Sequence, residues 1–138
     1  MTSDFCVAVH ALVYLNHKAK VLSSDELAEN ICTNPARVRK VMSKLKKAGL
    51  LKTREGSEGG YLFTADAREV TLASIANVLD IRFVDTAWKS GDTDMKCLVA
   101  SGMAGLMDEI FDDLNEQCRK RLEHVTIDTL DQKIFGQN

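Results

Sequence analysis

Proline is almost missing from this sequence, with Pro35 the single example among 138 residues. A chain so poor in proline carries no polyproline spacer and no Pro-rich disordered tract. Aromatic residues are scarce as well, at 6%, too few for the stacking platform on which single-stranded nucleic acid is held. Cys6, Cys32, Cys97 and Cys118 stand far apart and form no CxxC pair, which excludes a zinc ribbon and a dense disulfide framework. No apolar run approaches the roughly 18 residues of a bilayer span, and the N-terminus has neither the charged start nor the cleavage site of a signal peptide. The expectation is a cytoplasmic protein without membrane contact, its thiols reduced at rest.

Enzyme signatures are lacking too. There is no phosphate-binding glycine loop ahead of a helix, no pair of catalytic carboxylates and no nucleophile beside a base. Gly59 and Gly60 fall in a hairpin, not at a helix N-terminus, so they do not read as a nucleotide loop. His10, His17 and His124 are isolated in the sequence, and no metal site is expected from them.

One absence is local and more telling. Between Arg37 and Arg54 there is no aspartate or glutamate, while Arg37, Arg39, Lys40, Lys44, Lys46, Lys47, Lys52 and Arg54 are all cationic. The chain as a whole carries a formal charge of -2. Ten basic residues face six acidic ones before Ala65, and eight face fourteen after it. The basicity is therefore a patch, which is the electrostatic footprint of a polyanion site and not of general stickiness. Val38, Val41, Met42, Leu45 and Ala48 recur at helical steps there, with Arg37, Lys40, Lys44 and Lys47 on the other side.

The flanking segments give that helix a setting. Phe5, Ala8, Val9, Leu12 and Leu15 mark a first helix from Ser3 to His17. Ser23 with Glu26 predicts a capping box for a second helix through Leu27, Ala28 and Ile31, closed by Cys32 and Thr33. Asn34 can cap a third helix and Pro35 suits its first position, so the basic helix runs from Pro35 to Ala48 and stops at Gly49. Leu50 to Arg54 and Tyr61 to Thr64 suit strands around a glycine-rich turn whose three glycines allow close approach to a sugar-phosphate surface. Thr71 caps a fourth helix with the stripe Leu72, Ile75, Ala76 and Leu79.

The fold class that follows is mainly α with a small β-hairpin: a winged helix-turn-helix with a long C-terminal dimerisation helix. The chain divides into a winged helix-turn-helix DNA-binding domain over residues 1–80, a linker over 81–97, and a dimerisation helix with C-terminal tail over 98–138. Met103, Met107, Ile110, Leu114, Cys118, Leu122 and Val125 form the seam of the long helix. Its apolar surface exceeds what a small domain can cover, which predicts a homodimer and a palindromic operator in double-stranded DNA.

The order of elements resembles the Rrf2 family of bacterial transcription regulators over nearly the whole chain. The resemblance rests on Leu27-Ala28-Glu29, on Lys44-Leu45-Lys46-Lys47-Ala48-Gly49-Leu50-Leu51, and on Gly56-Ser57-Glu58-Gly59-Gly60-Tyr61-Leu62. Many members resemble one another in holding an iron-sulfur cluster on three cysteines near the start of the long helix. Here Cys97 alone occupies that region, followed by Leu98, Val99, Ala100, Ser101, Gly102, Met103 and Ala104. The resemblance is therefore to the cluster-free, YwnA-like branch, with no cofactor expected. The family commonly places an arginine directly before the first wing glycine and uses it in the minor groove. This chain has Glu55 there and Arg54 one place earlier, which a bulge would have to correct.

The candidate DNA-facing residues are Asn34, Arg37, Arg39, Lys40, Lys44, Lys47, Lys52, Arg54 and Tyr61. Arg37, Arg39 and Lys40 are placed at base edges, and Lys44, Lys46, Lys47 and Lys52 at phosphates. Tyr61 can serve a phosphate or pack its ring inside the wing. Cys97 follows Lys96 at a helix start, where charge and dipole lower a thiol pKa. A bond from it to Cys32 of a second chain would make the protein a thiol redox sensor. Cys6 and Cys118 are expected in the core. A regulator, with repression the favoured direction, comes first; a redox-sensing regulator and a protein-binding adaptor stay open beside it. A small-molecule effector is not identified by any polar cluster.

Overall fold

Short-range capping chemistry sets most element ends in the computed structural model, which describes residues 2–136. α1 (Thr2–Lys18) is followed by α2 (Ser24–Ile31), α3 (Pro35–Lys47), β1 (Leu51–Arg54), β2 (Gly60–Phe63), α4 (Leu72–Val78), α5 (Leu98–Leu122) and α6 (Ile127–Phe135). Ser23 Oγ accepts from the Glu26 N–H at 3.1 Å while the Ser23 N–H donates to Glu26 Oε1 at 3.0 Å, the capping box expected for α2. Cys32, left-handed at φ 65°, ends that helix. Asn34 Oδ1 accepts from the Arg37 N–H at 2.8 Å and opens α3. Thr71 does the same for α4 through the Ser74 N–H at 3.1 Å.

α1 is the central helix, packing against α2, α3, α4, α6 and β2. Its Ala8, Ala11, Leu12 and Leu15 are fully buried with Leu27 of α2, Val38 and Leu45 of α3, and Ile75 of α4. The hairpin is antiparallel, pairing Leu51 with Phe63, Lys52 with Leu62, Thr53 with Tyr61 and Arg54 with Gly60. Leu22 adds a third rung, donating to the Tyr61 carbonyl at 3.0 Å and accepting from the Tyr61 N–H at 2.8 Å. This is a winged helix-turn-helix, with α2 and α3 the paired helices and the hairpin the wing. No helix among the described residues is long and apolar enough to cross a membrane.

The C-terminal third differs from the sequence reading in two ways. Residues read as a tail form α6, whose Thr126 cap and fully buried Ile127 return the chain to α1. Val125, read as part of the long seam, lies beyond the end of α5. The segment read as a linker is also anchored. Ile81 is fully buried, and Phe83 meets Phe5 edge-on with ring centroids 5.2 Å apart.

Asn115 explains that anchoring. It is buried inside α5, and its Oδ1 accepts from the N–H groups of Phe83 at 2.6 Å and Val84 at 2.9 Å. Its amide donates to the carbonyls of Val84 at 2.8 Å and Phe111 at 2.9 Å, so every polar atom of the side chain is used. Arg119 adds bonds to Asn77 Oδ1 at 3.0 Å and the Ile81 carbonyl at 3.1 Å. Replacing Asn115 by leucine keeps the branched shape but no polar atom, and strands the half-buried N–H groups of Phe83 and Val84. Urea unfolding of Asn115→Leu is expected to lose about 3 kcal/mol, the cost of leaving such groups unpaired.

Candidate nucleic-acid interface

Burial of Val38, Val41, Met42 and Leu45 fixes how α3 is turned. With a helix advancing by about 100° per residue, Ala36, Lys40, Ser43 and Lys47 fall opposite that stripe, and all four are exposed. Arg39 and Lys46 flank one side, Arg37 and Lys44 the other. Ala48, expected in the buried stripe, is exposed at the C-cap. Lys40, Lys44, Lys46 and Lys47 take part in no ion pair among the described residues.

Arg37 stands apart from them. Its Nε and Nη2 each lie 3.1 Å from Oδ1 of Asp4 in α1. The sequence reading missed Asp4, because the two are separated by 33 positions and no periodicity connects them. Asn34 is likewise committed through its capping bond. Arg39 leans back toward α2, donating to Ser24 Oγ at 3.3 Å. The outward Ala36 and Ser43 were also missed, since neither carries the charge that drew attention to this helix.

In the wing, the four-pair ladder from Leu51 to Arg54 contains no bulge. Strand alternation therefore puts Arg54 on the face of Lys52, and Leu51 and Thr53 on the other. Tyr61, opposite Thr53, packs partly buried against the core. Burial raises its hydroxyl above the ordinary phenol range, and the positive charge of Arg39 acts in the opposite sense. Two wing glycines answer to the chain's own backbone and not to an approaching duplex. A Cβ at Gly60 would lie 2.2 Å from the Leu22 carbonyl oxygen, and one at Gly59 2.2 Å from that of Arg54. Gly56, at φ +102° with open space around it, is the glycine that the turn itself needs.

α5 carries two apolar faces. Met107, Phe111 and Leu122 turn inward, whereas Val99, Leu106, Ile110 and Leu114 are exposed, as is Leu98 at 85%. The expected seam mixed the two sets. α6 and α1 enclose a further feature that the sequence did not suggest, a groove of about 590 Å³ lined by Phe5, Val9, Tyr14, Leu130, Ile134 and Phe135. His17 is not isolated there: its ring stacks on Phe135 and its Nδ1 lies 3.7 Å from Asp131. Cys6, expected in the core, is exposed, and Cys118 is half-buried.

The Rrf2 family profile, described as an iron-dependent transcriptional regulator, matches residues 1–133. A Bacillus subtilis (strain 168) protein described as an HTH-type transcriptional regulator, YwnA, is 28% identical over 130 residues, spanning 91% of this chain and 96% of its own. Among solved structures, a protein described as a transcriptional regulator from Lactobacillus plantarum superimposes with a TM-score of 0.82 at 25% identity. It covers 97% of this chain and 91% of its own. CymR, described as the global cysteine regulator of B. subtilis, gives a TM-score of 0.68 at 18% identity over 96% of each chain, a likeness of fold.

The iron named in the family description finds no matching donor set among the described residues. Among the described residues no three His, Cys, Asp or Glu side chains converge to hold a metal ion. Cys97 is the N-cap of α5 and is exposed. The backbone N–H groups of Ala100 and then Val99 hold its thiol below the ordinary value, although the side chain makes no capping hydrogen bond. Cys32 is exposed beside the cap of α3 and points its S–H at the Glu29 carbonyl, 3.7 Å away. A depressed thiol pKa means that thiolate is present at lower pH, so iodoacetamide should label Cys97 with a midpoint below that of an unperturbed cysteine. Mass spectrometry after short labelling across a pH series reads this. A Cys97 midpoint at or above the ordinary thiol value contradicts it.

Proposed function

This chain belongs to the Rrf2 family of transcriptional regulators, and we propose that it acts as a cytoplasmic homodimeric repressor binding a palindromic operator in double-stranded DNA. The observation that carries the proposal is the exposed, acid-free cationic face of α3 beside the wing. Lys44, Lys46 and Lys47 on α3 and Lys52 on β1 supply phosphate contacts, with Arg54 beside them on the wing, Arg39 leaning toward α2 and Lys40 nearer the bases. Six to eight such cations suffice for tight, salt-sensitive binding.

The dimer is supported by the second apolar face of α5. A 25-residue helix is about 37 Å long. Pairing along Val99, Leu106, Ile110 and Leu114 about a two-fold axis removes exposed apolar surface from both chains. Two copies of α3 would then address half-sites about 34 Å apart. Repression is the simplest output, since the described residues are taken up by a DNA-binding unit and a pairing helix and operator occupancy alone excludes a polymerase. Catalysis has no part in the proposal.

Cys97 favours a second reading, in which oxidation changes the affinity. Its exposed thiol, with a pKa below the ordinary value, is placed to join Cys32 of a second chain, each disulfide releasing two protons and passing two electrons to a peroxide, which is reduced to water. Non-reducing gels after peroxide treatment test it: a cross-linked dimer lost in Cys97→Ser supports the switch, and an unchanged monomer band removes it.

Fluorescence anisotropy with a selected duplex should give a log-log salt slope near -5 if about six phosphates are engaged. Lys47→Ala should weaken all sequences alike and flatten that slope by about two, one for each protomer of the dimer. A salt-independent affinity would favour an adaptor. Ile110→Glu places a charge in the proposed pairing face and should shift the molar mass in light scattering from dimer to monomer.

A further inference from the structure

Arg37 is the cation of α3 that the protein itself holds. Its guanidinium meets Asp4 Oδ1 through two nitrogens at 3.1 Å, and its backbone N–H is taken by Asn34 at 2.8 Å. The Arg37 and Asp4 side chains are only 34% and 22% exposed, so solvent screens this pair less than it screens a fully exposed one. Asp4 sits in the first turn of α1, whose Ala8, Ala11 and Leu12 are wholly buried. The carboxylate therefore cannot follow Arg37 toward a groove. Helical phase agrees, since Arg37 lies on the flank nearest α1 while the outward centre belongs to Ala36, Lys40, Ser43 and Lys47.

We propose that Asp4 holds the Arg37 guanidinium against α1 and out of the groove, and that base choice lies with Ala36, Lys40 and Ser43. The proposal rests on the DNA-binding reading above and deepens it. Ala36 and Lys40 occupy the first half of the helix and Ser43 lies one turn beyond Lys40, all on the outward face that meets a major groove. Each has a matching partner there. The methyl of Ala36 suits the thymine methyl, the Lys40 ammonium suits the guanine O6 and N7 acceptors, and the Ser43 hydroxyl can donate or accept. Holding Arg37 back has a second effect. A free guanidinium beside the groove would add attraction for every sequence, and the ion pair withdraws that contribution from non-specific binding.

The test uses the full chain and combines selection from random duplexes with anisotropy titrations of the selected and a scrambled duplex at several salt concentrations. Arg37→Gln should select the same site as the parent and weaken both duplexes equally, by less than about threefold, since no base contact is lost. Asp4→Asn releases Arg37 in each protomer, so it should tighten the scrambled duplex and steepen its salt slope by about two, an effect absent from the double variant Asp4→Asn/Arg37→Gln. Lys40→Gln and Ser43→Ala should each lose preference at one base pair by about tenfold. Thermal unfolding reports whether each variant folds. If Arg37→Gln melts, Arg37→Lys keeps a cation against Asp4 and should restore the parental site and slope.

Relaxed preference at one base pair in Arg37→Gln or Arg37→Lys, with Ser43→Ala unchanged, overturns the proposal. So does an Asp4→Asn variant with the parental salt slope. A parent protein that enriches no duplex at all fails at the earlier step and overturns the DNA-binding reading itself.

Discussion

The constraint on which the interface depends is the burial of α3's apolar stripe against α1 and α2. Val38, Val41, Met42 and Leu45 are at most 1% exposed, and each such side chain contributes about 1.5–3 kcal/mol by leaving water. Turning the helix by one residue would exchange part of that stripe for a lysine, adding the cost of desolvating a charge to the lost burial. The core therefore aims the lysines; DNA is not needed to do so. Because α1 touches nearly every other element, a displacement of α3 would also have to disturb the packing of α2, α4 and the wing. A recognition surface made mostly of long flexible cations is in this way carried on a rigid base, which limits the ordering entropy that binding must overcome.

What could be read from the sequence was what is local. The caps at Ser23, Asn34 and Thr71 each involve a partner three residues on, and all three form. The cap at Thr126 went unread because Thr129 stands where a capping box usually shows glutamate or glutamine. The seam of α5 was half right for a physical reason. A helix with two apolar faces places Leu106 and Met107, or Ile110 and Phe111, side by side, and a three-four rhythm drawn through them alternates between faces. Distant pairings were not legible at all. Asp4 with Arg37, Asn115 with Phe83 and Leu22 with Tyr61 join segments that no spacing rule relates. The same holds for Gly60, where the Leu22 carbonyl adds a requirement for glycine to the one set by its own φ of +155°.

Those distant pairs determine how the long helix meets the DNA-binding unit. Asn115 and Arg119 fasten the C-terminal half of α5 to the 81–84 strand of backbone and to α4, while the exposed apolar residues lie in its N-terminal half and middle. Near its start, the Asp92 N–H donates to the Ala100 carbonyl at 3.0 Å, and a Cβ on Gly91 would come within 2.0 Å of that oxygen. The connecting segment is thus tied to α5 at both ends, which a flexible tether would not be.

A helix fixed at one end and apolar along the other is a lever. Force applied to its free face reaches α4 through Arg119 and Asn77, α1 through the contact of α4, and α3 through Asp4 and Arg37. Each step is a direct contact, and the last is an ion pair in which Nε donates a hydrogen bond to Asp4 Oδ1 and Nη2 lies 3.1 Å from the same oxygen. Contiguity alone does not make the path a switch, since coupling requires two arrangements that differ in energy. The ion pair is where such a difference can arise at least cost: the α1–α3 core is close-packed and resists small shifts, whereas a partly exposed charge pair exchanges protein for water with a smaller change. The Asp4–Arg37 pair is therefore the softest joint between α3 and the exposed apolar face of α5.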